Sequence, residues 1–398
     1  MAYDLATVAD LQAVRAGLGI AVSGSGPLRP ATKWGAALAA VIAGLASTTV
    51  LFAGDSTWMG VGYGSPSGAP TGIQTTGARP YTPVAAFAKY LQQFGVPAST
   101  DSFMGLNIRA TDTIADYNAY NPNTQVDTAT WTIGGTVSLG GNTFRKASTT
   151  LGPIISYDDE KSTRKMYVVL DNTVGATYAV KCDGATVYTY TATGAAVPVV
   201  ISTPQQPEGF HTWEMECSSG LVSNVVGGWS HNDVTPRVNV INAGFRGLTS
   251  SLFADDTTAY TAMKVMPLLA PTLLPYGIGI NDVRTGGANL TTAQIAANLA
   301  AVRARVTTAD LLLASPHSIA PADDLGAGAK HKDLVATFTD RALAWSLNHF
   351  QIKDLIGSYN SGNRRGQYFD GLHVQDRSFA DIQGRDLARI AISSARLS

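Results

Sequence analysis

The chain has 398 residues, 45% of them hydrophobic, and a formal net charge of −1. Scattered Lys and Arg with no basic run exclude a nucleic-acid groove or an anionic-lipid surface as the main partner. The length points to two folding units, and 40 glycines with only 14% charged residues favour turns and hydroxyl-rich β-structure over long solvated helices.

In chain order, residues 1–31 read as an N-terminal arm. Val8, Leu11 and Val14 share one face of a short helix, and 23–30 is Gly/Ser/Pro linker material. Met1-Ala2-Tyr3-Asp4 lacks the basic region and apolar core of a secretory signal. The apolar window 34–53 has the length of a membrane span. It divides at Ser47-Thr48 into an Ala-rich helix (33–46) and a buried strand (49–53), so no membrane partner is expected. Gly54-Asp55-Ser56 and a Gly-rich loop follow. Thr82-Pro83 then opens a helix with an N-cap and a proline at the first helical position. Val84, Phe87, Ala88, Leu91 and Phe94 form its apolar stripe, and Gly95 stops it.

From 128 the texture changes to short strand-like runs (130–132, 164–170, 178–182, 185–191, 197–202 and 211–217) separated by Gly, Asn and Asp turns. This pattern predicts an antiparallel β-sandwich ending near 233. Cys182 and Cys217 both fall on these strands. They are too few for a disulfide scaffold or a thiolate zinc site, and one disulfide between paired strands or two free buried thiols fit equally. Afterwards strands (238–242, 273–280 and 311–314) alternate with helices (291–306, 332–347 and 378–396). The prediction is an α/β fold, a doubly wound parallel sheet from 32–127 and 234–398, with an antiparallel β-sandwich inserted at 128–233.

Three stretches carry the chemistry. Ser56 follows an apolar strand, where a parallel sheet presents side chains to its ligand crevice. It is a nucleophile candidate, against the plain reading of a capping serine in a turn. Asn281 in Gly279-Ile280-Asn281-Asp282 also follows a strand and can donate an amide to an oxyanion, unless it forms an Asx turn with Asp282 capping a helix. Asp370 and His373, three apart, lie on one face of a helical turn, so the carboxylate can orient the imidazole as a base. His317 follows a strand and could line the same crevice. The other four histidines have no comparable partner. Gly247, in Asn242-Ala243-Gly244-Phe245-Arg246-Gly247, would let its N–H approach a substrate oxygen, against the plain reading of a turn. Acidic groups at 158–160, 255–256 and 323–324 lack calcium-ligand spacing, so no catalytic metal and no cofactor are predicted.

These blocks, in this order, resemble the SGNH hydrolases (the GDSL esterase/lipase family). The resemblance covers roughly 33–125 and 234–398. It implies a flavodoxin-like three-layer sandwich and a triad of Ser56, His373 and Asp370. The oxyanion donors it implies are the Ser56 and Gly247 N–H groups and the Asn281 side chain. Thr57 replaces the family's usual Leu. The inserted segment resembles a carbohydrate-binding jelly roll, with Trp131, Trp213 and Trp229 as sugar contacts or as core. Similar insertions occur in polysaccharide deacetylases, some carried on bacteriophage tails. The expected function is therefore hydrolysis of acyl esters, chiefly O-acetyl, on a carbohydrate, in an extracellular or virion-associated setting. The alternatives are a lipase or thioesterase for longer acyl chains and a glycan-binding adhesion protein.

Overall fold

The computed structural model describes residues 28–59, 82–100, 105–106, 113–120, 124–148, 152–157, 162–172, 175–194, 197–218, 223–232, 234–325, 327–365, 367–368, 370–374 and 377–398. The arm helix at Val8–Val14, the loop after the serine and the acidic group at 158–160 lie outside the described residues.

Six parallel strands form the central sheet. They are β1 (Thr48–Gly54), β2 (Ala98–Thr100), β13 (Val238–Asn242), β14 (Leu273–Gly277), β15 (Asp310–Ser315) and β16 (Asn348–Gln351), in the spatial order β16-β15-β14-β1-β13-β2. With the three-residue edge strand β2 set aside, the order is 2-1-3-4-5 in chain sequence, and the connectivity reverses at β1. Each long strand is buried on both faces, which is why it reads as a continuous apolar run. In β1, Leu51 and Ala53 face one core while Val50 and Phe52 face the other. The second core is roofed by helices Thr32–Ile42, Pro83–Gln93 and Arg377–Arg396, and the first by Thr292–Arg305 and His331–Ala344.

The local signals act as expected at several helix starts. Thr82 Oγ1 accepts from the Ala85 N–H at 3.0 Å, and Thr291 with Gln294 forms a reciprocal capping box. The Ala-rich helix stops at Ile42, four residues earlier than its composition suggests. Residues 28–31 dock on the sheet: Arg29 exchanges two 2.9 Å hydrogen bonds with the Asn348 side chain. No helix among the described residues is long and apolar enough to cross a membrane.

Among the described residues, ten antiparallel strands lie between β2 and β13. One sheet, β10-β7-β12-β5-β4, comprises Pro198–Ser202, Lys165–Asp171, Asn224–His231, Gly141–Lys146 and Trp131–Ser138. The other, β3-β6-β11-β8-β9, comprises Thr124–Val126, Ile154–Tyr157, Thr212–Cys217, Thr177–Cys182 and Ala185–Thr191. Phe144, Val168 and Leu170 meet Tyr178, Val180, Trp213 and Met215 between the sheets. The opposite face of the first sheet is buried as well: Leu139, Val169, Val226 and Trp229 join the core that contains Ile241, Phe245 and Met263.

The tryptophans considered as sugar contacts are core residues. Trp131, Trp213 and Trp229 are 2%, 1% and 8% exposed, and the Trp229 ring stacks on Tyr167 at 5.0 Å. Cys182 pairs opposite Trp213 and Cys217 opposite Tyr178, so they sit at different heights on neighbouring strands and are free, buried thiols.

The ends of three adjacent strands are shaped by one short helix, Ser56–Met59. A Cβ on Gly54 would fall 2.6 Å from Trp58, on Gly277 2.5 Å from the Trp58 ring, and on Gly244 2.6 Å from the Met59 nitrogen. Real Cβ atoms do not approach that closely, so β1, β14 and the turn after β13 each need glycine where the helix crosses them. Gly277→Ala is therefore expected to lose about 1–3 kcal/mol of stability through overpacking. Combining it with Trp58→Phe should recover part of that loss in urea unfolding, and strictly additive losses would contradict the contact.

Candidate active site

The parallel sheet delivers the sequence blocks to one place because β13, β1 and β14 are neighbours in register. Ala53 and Gly54 pair with Tyr276 and Gly277, and Phe52 pairs with Asn242. The Phe245 N–H continues the ladder to the Gly54 carbonyl at 3.1 Å. Each strand then breaks, and the next few residues form the carboxyl-end crevice of the sheet.

Ser56 is the first residue of its helix and is 7% exposed. Its N–H occupies the first turn, where helix amides have no intrahelical acceptor. Asp55 before it is fully buried, and its Oδ1 accepts from the Thr57 N–H (3.0 Å) and hydroxyl (2.8 Å). Burial pushes the Asp55 carboxyl above its ordinary value, against these hydrogen bonds and that of the Ile280 N–H. The far end of the helix is closed by Asn242, whose Nδ2 donates to the Trp58 carbonyl at 2.9 Å while its Oδ1 accepts from Gly244. Asn242 therefore positions the serine helix from the neighbouring strand.

The Ser56 hydroxyl lies 2.8 Å from His373 Nε2, across 317 residues of sequence. His373 Nδ1 lies 2.8 Å from Asp370 Oδ2. An ionised carboxylate only accepts, so Nδ1 carries the hydrogen and the lone pair of Nε2 faces the serine hydroxyl. Burial acts to raise the Asp370 carboxyl, but the His373 hydrogen bond and charge, with the His373 and Leu372 N–H groups, together hold it at about 2. The backbone here is not the helical turn expected from the spacing. Asp370–Leu372 is a bend in which Asp370 Oδ1 accepts from Leu372 N (2.7 Å) and His373 N (2.6 Å). The carboxylate folds its own turn and orients the imidazole with the same side chain.

Asn281 and Asp282 both lie inside the short helix Ile280–Val283, so Asp282 does not cap a following helix, and β14 ends at Gly277, before the 280 expected. Its amide is oriented by two unlike partners: Arg284 Nε donates to Oδ1 at 2.8 Å, and Nδ2 donates to the Leu248 carbonyl at 3.0 Å. Nδ2 thus faces the Gly247 loop. Asp282 accepts from the Ser250 N–H at 2.7 Å, so adjacent residues grip the same loop. Burial raises the Asp282 carboxyl to about 6. Gly247 has φ +80, a left-handed conformation that favours glycine. The serine, the Gly247 loop, Asn281 and His373 are thereby brought to one end of the sheet. Asn242, Arg284 and Trp58 join them without having been singled out in the sequence. Asn242 heads the Gly247 motif, and that was the one available signal.

His317 does not line the crevice. It is 2% exposed, and its Nε2 donates to the Leu372 carbonyl at 2.5 Å, supporting the His373 loop from behind. Gly371 completes this packing, because a Cβ there would overlap Asp323. Of the acidic groups, Asp256 pairs with Lys264 and Asp324 accepts from the His331 N–H. Burial lowers the His317 pKa from 6.5 to about 4. The unfolded chain therefore takes up this proton near 6.5 and the native chain only near 4. Its contribution to stability is complete above pH 6.5 and is lost as pH falls toward 4. Buried His349, also at about 4, acts in the same direction, and Asp282 acts in the opposite one. His317→Gln keeps a donor but not the titration. The stability lost between pH 7 and 4.5 should shrink by about 2–3 kcal/mol in denaturant titrations, and an unchanged loss would refute the assignment.

No protein-family profile and no curated protein sequence matches the chain. Among solved structures, a peptidoglycan O-acetylesterase aligns with TM-score 0.62 and 14% identity, over 93% of this chain and 98% of that one. That share is too large to leave out the antiparallel strands. A carbohydrate acetylesterase family member from Sinorhizobium meliloti and a lipase/acylhydrolase from Enterococcus faecalis match 40% and 38% of this chain, and 81% and 75% of their own. Their identities are 16% and 21%, and at TM-scores of 0.32 they carry no argument. By its fold, the chain is similar to that peptidoglycan O-acetylesterase over nearly its whole length.

Proposed function

We propose that the protein is a serine ester hydrolase that removes O-acetyl groups from a polysaccharide through an acyl-enzyme. The observation that carries this reading is the unbroken chain Ser56 Oγ, His373 Nε2, His373 Nδ1, Asp370 Oδ2, with 2.8 Å at each hydrogen bond. Ser56 Oγ attacks the ester carbonyl as its proton passes to His373 Nε2, and Asp370, ionised at any working pH, stabilises the imidazolium. The oxyanion that forms is held by the Ser56 and Gly247 N–H groups and the Asn281 amide, which Leu248 and Arg284 hold in place before the reaction. The ester C–O bond then breaks as His373 returns the proton to the departing sugar oxygen. Water, deprotonated by the same imidazole, cleaves the Ser56 ester and releases acetate.

The carbohydrate part of the proposal rests on the likeness in fold to a peptidoglycan O-acetylesterase over nearly the whole chain. The antiparallel strands support it in form. Strands β5 to β12 run 5-12-7-10 in one sheet and 6-11-8-9 in the other, the order of a jelly roll flanked by β4 and β3. With the three tryptophans buried, any sugar contact there uses other side chains.

Acetate release from a panel of O-acetylated polysaccharides, with aryl esters of graded chain length alongside, tests both parts. Acetyl esters should be preferred, whereas faster turnover of long acyl chains would identify a lipase or thioesterase. Ser56→Ala should lower kcat at least ~10⁴-fold with folding intact. Retention of turnover by that variant would overturn the nucleophile. Asn281→Ala should cost ~10²–10³ in kcat, the value of one oxyanion donor, with KM little changed.

A further inference from the structure

A second cluster of chemistry-bearing side chains lies in the sandwich, on the sheet whose core face does not contact the parallel sheet. We propose that Cys182, Asp183 and His211 form a binding site for a zinc-class divalent cation, with a fourth position open to water or an exogenous ligand. The proposal is independent of the esterase reading.

The fold builds the cluster from a turn and a strand start. Asp183-Gly184 is the two-residue loop between β8 and β9, with φ +51 and +81, the pair of left-handed residues that a tight hairpin of this twist requires. Cys182 ends β8 with its thiol buried, opposite Trp213 of β11. The turn is tied to β11 twice: the Asp183 N–H donates to the Thr212 carbonyl, and the Thr212 N–H donates to Asp183 Oδ1, each at 2.9 Å. These bonds leave Oδ2 directed at His211, the residue just before β11. The ligand atoms of Cys182, Asp183 and His211 all lie within 4.8 Å of one another.

The hydrogen bonds of the imidazole supply the second argument. His211 Nε2 lies 2.8 Å from the Pro207 carbonyl, which only accepts, so Nε2 bears a hydrogen. His211 Nδ1 lies 2.7 Å from Asp183 Oδ2. The Asp183 carboxylate takes the Thr212 N–H on Oδ1 and faces the ring with Oδ2, and a carboxylate also only accepts. A neutral imidazole would then point a lone pair at a carboxylate. A cation must lie between the two, either a proton or a metal ion.

A proton satisfies nitrogen and oxygen but gives the thiol no part, although Cys182 Sγ lies 3.8 Å from the same Oδ2. A divalent cation engages all three. Sulfur, nitrogen and oxygen donors together suit Zn²⁺, and three protein ligands leave the position that non-structural zinc sites keep open. A backbone carbonyl behind the far ring nitrogen is the usual support of a metal-bound histidine. Tetrahedral bonds of ~2.0–2.2 Å require the nitrogen and oxygen to part to roughly 3.3 Å. Asp183 can yield, because its side chain is 57% exposed at a turn tip. Binding displaces the thiol proton and the proton between the ring and the carboxylate to solvent.

The full-length chain, free of any affinity tag and stripped with chelator, is titrated with Zn²⁺ by calorimetry and with Co²⁺ by absorption. One equivalent of Zn²⁺ should bind, and Co²⁺ should show a thiolate charge-transfer band. Cys182→Ser, Asp183→Asn and His211→Gln should each weaken Zn²⁺ by at least the ~10–100-fold that a metal site loses with an outer partner. The band should vanish in Cys182→Ser and persist in Cys217→Ser, whose thiol is also buried but lies opposite Tyr178. Asp183→Asn, at an exposed turn, gives a reading if the His211 variant does not fold. Absence of saturable Zn²⁺ uptake would mean that a proton alone holds the pair and overturns the proposal. So would undiminished Zn²⁺ affinity, or a thiolate band, in Cys182→Ser.

Discussion

The contact on which the site depends is the pressing of the Ser56–Met59 helix against the ends of three parallel strands. Helix and strands meet so closely that a methyl group at Gly54, Gly244 or Gly277 has no room. That closeness has a chemical purpose. The Ser56 hydroxyl meets an imidazole 317 residues away because its helix is held against the sheet. Asn242 holds the helix at its far end by donating to the Trp58 carbonyl. A four-residue helix has no stability of its own. Its geometry is imposed by the strands around it.

The loops around the serine are held by polar side chains that each make more than one bond. Asp370 folds its own bend with one oxygen and orients His373 with the other. Asn281 and Asp282, adjacent in sequence, hold Leu248 and Ser250 of one loop. Such bonds cost more when lost than they contribute when made, because the freed buried partner goes unsatisfied. The same economy gives the crevice little freedom to rearrange, as the function proposed above requires.

Much of this was legible in the sequence, for identifiable reasons. Parallel strands buried on both faces show as uninterrupted apolar runs, so β1, β13 and β15 were evident, and Thr82-Pro83 announced its helix. The Asp370–His373 pair was found, but its backbone was not, because a separation of three serves a helix and an Asx-type bend equally well. Asn242, Arg284 and Trp58 act through contacts made only when distant strands come together, and local pattern does not contain them. His317 looked like a crevice residue because it follows a strand, yet the chain turns its ring inward beneath Leu372. The tryptophans of the sandwich showed the limit of composition. Large aromatics suit a sugar platform and a core alike, and here burial assigns them to the core.

The sheet β10-β7-β12-β5-β4 is covered on both faces, by its partner sheet on one side and by a core of the parallel-sheet layer on the other. Residues 124–231 therefore do not behave as a bead on a string. Removing them would uncover the short helices Ser250–Phe253 and Ala262–Val265, which pack against β4 and β10. The antiparallel strands and the parallel-sheet layer share a wall, so the short helices that follow Gly247 owe part of their burial to the sandwich and would loosen if it were trimmed away.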